Sequence, residues 1–549
     1  MLAILCNWVY VTFVSLGLGI GLSEFSNKVF GYRIKRIDSL LMAGLAIATV
    51  YAQIFSLFAG VGMIANIVLF VCCILVYIFR GKSLRHCHFT SEERIKPWIV
   101  ICIGVLVLLW AYFTSRGYMH YDSDLYHAQS IRWIEEYGVV PGLGNLHERF
   151  AYNSSFFALS ALFSMKFLCG ESMHAISGFF GLVLSLTALD IVKSWRNKHF
   201  SLADLARVGL IYYLITIMDE VVSPASDYSI MCVIFFVVIK WLDMLEIKEK
   251  NIAPYGLLCV LGVYALTIKL TAGLIILLTI MPLSNLIREK KTKEIIIYII
   301  MGLLVAVPWF VRTVIISGWL LYPFPALDLF DFDWEMNAAA IELDAAQIKT
   351  WGRALYNASL VDVPMHQWFP NWFKTTLSGT EKILIIGCMI SAVLFVINVI
   401  IILCKRQKEK WNIVLVLGTV LCSYAFWQTS APLIRYGYAY VLLVDFLMLG
   451  WIFKQLGWRR IQIILYFTLL LYGTYKIFAI GKYIYDTRHV SAYFYQADYG
   501  QYEMNTYEIE GITFYYPKTG DLTGYDYFPA APTENTIELR GNGLGDGFR

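Results

Sequence analysis

"MHYDSDLYHAQSIRWIEEYGVVPGLGNLHERFAYNSSFF", residues 119–157, is a polar interruption in a chain that is otherwise largely apolar. Runs long enough to cross a bilayer precede it and resume after it. A connection of this length is either functional or disordered, and this one is too rich in aromatic and aliphatic residues for simple disorder. Leu125, Ala128, Ile131 and Ile134 recur at three-residue spacing and predict an amphipathic helix over 124–137. Gly138 suits its C-terminus and Pro141-Gly142 a turn. Asp122 or Ser123 then stands at the N-cap. The aspartate has two readings: its carboxylate accepts the free N–H groups of the helix start, or it is a general base held at the membrane surface. The two roles can coexist. His127 either donates to a phosphate or faces water. His147 and Arg149 suit an anionic group, although an interfacial arginine often pairs with lipid headgroups.

The 549 residues are 58% hydrophobic and 15% charged. A soluble fold of that composition would aggregate, so the expected class is an all-α polytopic membrane protein. The net charge of +4 is small, and the basic residues sit in short clusters between apolar runs. That distribution speaks for membrane topology and against nucleic-acid binding. About 14 runs are long enough to span. The first begins at the N-terminus and reads as a retained span rather than a cleaved signal. With the N-terminus outside, the basic connections 28–36, 80–96, 193–198, 248–250, 288–293, 405–410 and 454–460 all fall inside. The membrane domain is then 1–481, with outer loops 116–174 and 317–380 and an outer tail 482–549. Residues 154–168 are apolar enough to span, but counting them would break the charge rule. They are expected as an interfacial helix, on the outer leaflet or packed against the bundle. The tail is too short for a sizeable core of its own and is expected to pack over the outer face. Most of the 11 cysteines lie in spans or basic loops, so a disulfide framework is not expected.

Four further stretches place charge near the same face. "MDEVVSPASDYS" (218–229) holds Asp227, and "LTIKLTAG" (266–273) sets Lys269 at the apex between two short helices. A lysine at that depth needs a partner or a path to the headgroups. "PWFVRTVIISGWLLYPFP" (308–325) carries Arg312, and "SAPLIRYGYAY" (430–440) carries Arg435. Guanidinium matches phosphate geometry. Asp445 lies in mid-span, to neutralise a basic residue or line a cavity.

The order in 122–141, an acid, a tyrosine four later, an amphipathic helix, glycine and proline, resembles the first exoplasmic loop of the GT-C membrane glycosyltransferases. Members of that superfamily transfer a sugar from a polyprenyl-phosphate carrier to an acceptor. The resemblance implies a GT-C-like helical bundle with Asp122 as the catalytic carboxylate and Tyr126 beside it. Ser123 stands where a second acid is common, and Asp124 is its substitute. Asp227 matches the superfamily's later exoplasmic acid. Lys269, Arg312 and Arg435 match basic residues near the lipid phosphate, with Thr313 where asparagine is usual, and His127 and Arg149 join the substrate-binding set. The segment 140–157 resembles a less-characterised group of bacterial membrane proteins. The implied activity is inverting transfer from a polyprenyl-phosphate-linked sugar to a glycan, lipid or protein acceptor, at the exoplasmic face of the bacterial inner membrane.

No Gly-rich nucleotide motif is present. Asp122-Ser123-Asp124 and Asp331-Phe332-Asp333 have the Asp-x-Asp form, which leaves room for a divalent metal ion bridging carboxylates and phosphate. Two rival classes fit part of the pattern. A transporter or flippase of lipid-linked glycans explains the spans and intramembrane charges, but not a structured outer loop. A surface-glycan polymerase or ligase shares the lipid-linked donor.

Overall fold

The computed structural model describes residues 1–89, 97–197, 200–407, 410–456 and 459–549, with side chains except at 195, 197 and 453–470. The basic connections 80–96, 193–198, 405–410 and 454–460 therefore lie partly outside the described residues. The chain is mostly helical. Among the described residues ten helices are long and apolar enough to cross a membrane, and Ala253–Ile268 and Tyr438–Ile452 are shorter apolar helices. Helix Met63–Arg80 turns Ile64, Ile67, Val71, Leu75 and Ile78 outward, and helix Gly379–Cys404 does the same with Ile383, Ile386, Ile390, Val393 and Ile397. Apolar stripes of that length on the outside call for hydrocarbon, not water. The protein is a multi-pass membrane protein.

Helices Leu2–Phe30 and Ile37–Ser56 meet backbone to backbone. A β-carbon on Gly19 would lie 2.2 Å from the Leu40 carbonyl oxygen, and one on Gly44 would lie 1.8 Å from that of Ser15. Lipid chains give no hydrophobic drive between helices, so close approach through small residues supplies the packing contact.

The amino group of Met1 donates to the carbonyls of Ala492 at 2.7 Å and Tyr495 at 2.8 Å, so the N-terminus lies with the start of the tail. The loops 116–174 and 317–380 gather at this same end. In the first loop a wide π-helical turn, Ser123–His127, leads into helix Ala128–Glu136. Gly138 ends it with φ 79°, and a β-carbon there would strike the Ser56 carbonyl oxygen at 2.3 Å. The run expected as an interfacial helix is a nine-residue helix, Ser155–Phe163, with every residue buried, followed by a separate turn Lys166–Cys169. At ~13 Å it is too short to cross, and it is packed inside the bundle rather than lying on a leaflet.

The tail forms an antiparallel hairpin, Met504–Ile509 with Ile512–Pro517. Glu510 and Gly511 both have positive φ, as a tight two-residue connection requires. Tyr507, Ile509, Phe514 and Phe548 of the tail share one core with Trp133, Val140 and Phe150 of the first loop and Trp319, Met336 and Ile341 of the second. Three polar segments, none able to bury a core alone, make one cap.

The glycine contacts are testable with a built-in control. Gly44→Val should force the first two helices apart and cost about 3 kcal/mol or more. Gly21→Ala has nothing within 4 Å of the new carbon and should leave stability unchanged. Thermal unfolding of the two variants in detergent separates the cases.

Candidate active site

Four charged residues from distant parts of the chain converge beneath the cap. Asp227 lies in the first turn of helix Ser226–Glu246, where the helix dipole favours an acid. Lys269 is the C-cap of helix Ala253–Ile268, where the dipole favours a cation. Arg435 sits in the turn Ile434–Tyr436. The indole of Trp427 donates to the Leu433 carbonyl at 2.9 Å and that of Trp372 to the Pro432 carbonyl at 3.0 Å, which fixes this turn. Asp122 comes from the first loop.

Arg435 joins them. Its Nη2 donates to Asp122 Oδ2 at 2.5 Å, and its Nε lies 3.3 Å from Asp227 Oδ2. Lys269 Nζ donates to Asp227 Oδ1 and lies 3.3 Å from the centre of the Tyr436 ring. Asp122, Lys269 and Arg435 keep 22–24% of their side-chain surface exposed, whereas Asp227 keeps 9%. The set has an open side through Asp122.

Asp122 does not cap its helix: no backbone N–H of the helix start reaches the carboxylate, which is turned to Arg435 instead. Burial would raise its pKa, but Arg435, helped by Arg149, holds it below the usual carboxylate range. His120 completes the first-loop side. The Asp122 N–H and Arg435 Nη1 both donate to its Nδ1 at 3.1 Å, which assigns the ring proton to Nε2. Burial and Arg435 lower its pKa, so the ring is neutral.

The remaining candidates divide. Tyr126 is half-buried against His127, with ring centres 4.4 Å apart; desolvation raises its pKa, and Asp122, Tyr436 and Arg149 act on it as near neighbours. His127 packs on Phe157 at 5.1 Å, and burial drives its pKa down to about 3. It is shut off from water, although the Asp122 and Asp227 carboxylates act on it and oppose the shift. Arg149 Nε lies 3.4 Å from Asp344 Oδ1, and the hydroxyls of Tyr152 and Tyr322 donate to Asp344 Oδ2 at 2.5 and 3.0 Å. Asp124 turns away from Arg435: its carboxylate accepts from the Gly500 N–H at 3.1 Å and the Tyr502 hydroxyl at 2.9 Å, both in the tail. Arg312 is buried at 1% exposure. It donates to Asn153 Oδ1 at 3.0 Å and to Ser56 Oγ, tying the first loop to two helices. Asp445 lies against Gly387, with Ser391 Oγ 3.5 Å away.

Among the described residues no group of three or more His, Cys, Asp or Glu side chains is placed to hold a metal ion. Asp122 and Asp124 point to different partners, and Asp333 is bound by Arg540 at 2.8 and 3.1 Å.

All four clustered residues, His120 and Tyr436 fall within residues 1–442, which match one family model, described as a domain of unknown function (DUF8201). The chain belongs to that family. No curated protein and no solved structure matches it. The DUF8201 region takes in the cluster and both long loops but not the tail, so Asp124 is held by residues from beyond the matched region. His120, Tyr436 and Asp344 are the site residues that sequence reading missed. A polar residue two before Asp122 and an aromatic directly after Arg435 were the available signals; Asp344 had none.

Two buried neutral histidines give a pH signature. Burial lowers His127 to about 3 and His174 to about 4, against an unfolded value of about 6.5. Between those values the unfolded chain binds protons that the folded one does not, so stability is full above about 6.5 and falls as pH falls. Each histidine contributes a slope of up to about 1.4 kcal/mol per pH unit. Unfolding of His127→Gln followed from pH 7 to 5 should show one such slope removed.

Proposed function

We propose that the Asp122–Arg435–Asp227–Lys269 cluster is the reaction centre of a GT-C-type membrane glycosyltransferase. It transfers a sugar from a polyprenyl-phosphate carrier to a surface glycan, lipid or protein acceptor at the exoplasmic face of the bacterial inner membrane. The observation that carries this reading is the shared hold on Arg435. Two carboxylates and two cations neutralise each other in the resting site, and of the two carboxylates Asp122 is the more open.

An incoming lipid phosphate competes for Arg435 and Lys269. Once Arg435 turns to phosphate, Asp122 loses its main counter-ion and becomes a stronger base. The carboxylate takes the proton of the acceptor hydroxyl as that oxygen bonds to the anomeric carbon from the face opposite the phosphate. The bond from the anomeric carbon to the phosphate oxygen breaks, the electron pair leaves with that oxygen, and the two cations meet the developing charge. Asp227 keeps both cations in place. Neutral His120 supports Asp122 from its backbone side.

In the same reading the helices Leu202–Thr216, Ala253–Ile268, Tyr438–Leu456 and Arg459–Thr487 also cross the membrane, which brings the total to about 14 spans. The cap of two loops and tail then covers the exoplasmic end.

The test is transfer from a labelled polyprenyl-phosphate sugar in proteoliposomes. Asp122→Asn should lower kcat by about 10²–10⁴-fold, while Asp124→Asn, whose partners lie in the tail, should keep kcat near that of the wild type. Arg435→Lys loses the planar fork that spans the two carboxylates and matches phosphate, and should raise KM for the donor. Vesicle flux of a lipid-linked glycan that persists in Asp122→Asn, with no transfer by the wild type, would replace this reading by transport.

A further inference from the structure

Beside the Asp122 cluster a second charged unit joins the two outer loops. Arg149 stands in the turn Glu148–Ala151 of the first loop, and Asp344 in helix Ala338–Gly352 of the second. Asp344 keeps only 1% of its side chain exposed. A carboxylate buried that deeply has to be paired and hydrogen-bonded. The pairing comes from Arg149, and the bonds come from the hydroxyls of Tyr152 and Tyr322. The rings of those two tyrosines meet edge to face at 5.0 Å, which steadies both hydroxyls on Asp344 Oδ2. The unit is a fixed mount for the guanidinium.

The mount uses one edge of it. The closest approach to Asp344 is through Nε, and among the described residues neither Nη1 nor Nη2 donates a hydrogen bond. Glu148, the acid beside it in the chain, meets the ring of His147 at 3.1 Å. Arg149 keeps 18% of its side chain exposed, and neither terminal nitrogen is shut in the interior. The charge cluster is its neighbour. Tyr126, four residues beyond Asp122, packs on the same core as Phe150, Tyr152 and Tyr322, and the Arg149 charge is felt at Asp122, Tyr126 and Tyr436. Tyr436 in turn accepts from Arg435 Nη2 at 3.1 Å and has Lys269 over its ring. Two cationic stations therefore share Tyr436 as a neighbour. Arg435 and Lys269 are both engaged with site carboxylates, whereas Arg149 has a free fork.

We propose that Arg149 is a specificity residue of this site: its fork binds an oxyanion other than the leaving phosphate. That group is a second phosphate on the carrier or an acidic substituent on the acceptor, and either presents two oxygens to Nη1 and Nη2. The inference rests on the reading of the Asp122 cluster as a transferase centre.

The full chain in mild detergent is titrated with two pairs of probes, and Kd is read from tryptophan fluorescence. Farnesyl phosphate against farnesyl diphosphate tests the carrier. Methyl glucoside against methyl glucuronide, each with farnesyl phosphate bound, tests the acceptor. In one pair the wild type should prefer the member with the added anionic group by about tenfold. Arg149→Gln should cut that preference to about twofold or less, and should leave Kd for farnesyl phosphate within about twofold of the wild type. Arg149→Lys keeps the charge beside Asp344 but not the fork, and should show most of the same loss if the first variant fails to fold. A preference for the diphosphate assigns the group to the carrier, and one for the glucuronide assigns it to the acceptor. No preference in either pair, or a preference that survives in a folded Arg149 variant, overturns this inference alone. Failure of the wild type to bind farnesyl phosphate at all overturns the transferase reading and this inference with it.

Discussion

The guanidinium of Arg435 is the constraint on which the charged cluster beneath the cap depends. It bridges a loop aspartate and a helix aspartate, and through Asp227 it is coupled to Lys269. Charges this close to hydrocarbon are tolerable only when paired. Removing Arg435 leaves Asp122 without its ion-pair partner, and removing Asp227 does the same to Lys269, so the four cannot be considered separately. Their mutual neutralisation also explains why three of them can stay partly open to the outside without a counter-ion from solvent. The pairing is local in space and remote in sequence: more than three hundred residues separate Asp122 from Arg435.

Much of this was legible in the amino-acid sequence, because an ionised side chain in an apolar chain is conspicuous. Asp122, Asp227, Lys269 and Arg435 each stood out, and the basic connections suggested a common side. What could not be read was which charge meets which. Asp124 and Asp122 are two residues apart on one helical turn, yet they face different parts of the fold, because the π-helical turn and the tail re-aim Asp124. Arg312 has the right residue type and the right end of its span, but its neighbours Asn153 and Ser56 make it a tie between the first loop and the bundle. Helix Ala253–Ile268, by contrast, ends at Lys269 as the break between the two apolar runs suggested.

The cap follows a similar logic on the wet side. Hairpin, loop helix and second loop each present one apolar face, and the three faces close on each other. The tail does more than cover. Its Gly500 N–H and Tyr502 hydroxyl hold Asp124, and the backbone N–H groups of Thr523 and Gly524 donate to the Asp124 carbonyl at 2.9 Å. These bonds fix the turn that begins at Asp122, so the position of the open carboxylate is set partly by residues near the other end of the chain.

That arrangement has a consequence in time. The Phe548 N–H donates to the Pro141 carbonyl at 2.9 Å, and a β-carbon on Gly142 would strike the Phe548 carbonyl oxygen. About 400 residues of synthesis separate the two partners, and at ~5–20 residues per second the first loop waits roughly 20–80 seconds for its cover. During that interval Trp133, Val140 and Phe150 have no tail to pack against, and the Asp122 turn lacks the bonds that fix it. The nascent protein thus passes through a stage in which its membrane helices can already be inserted while the cap above them is still incomplete.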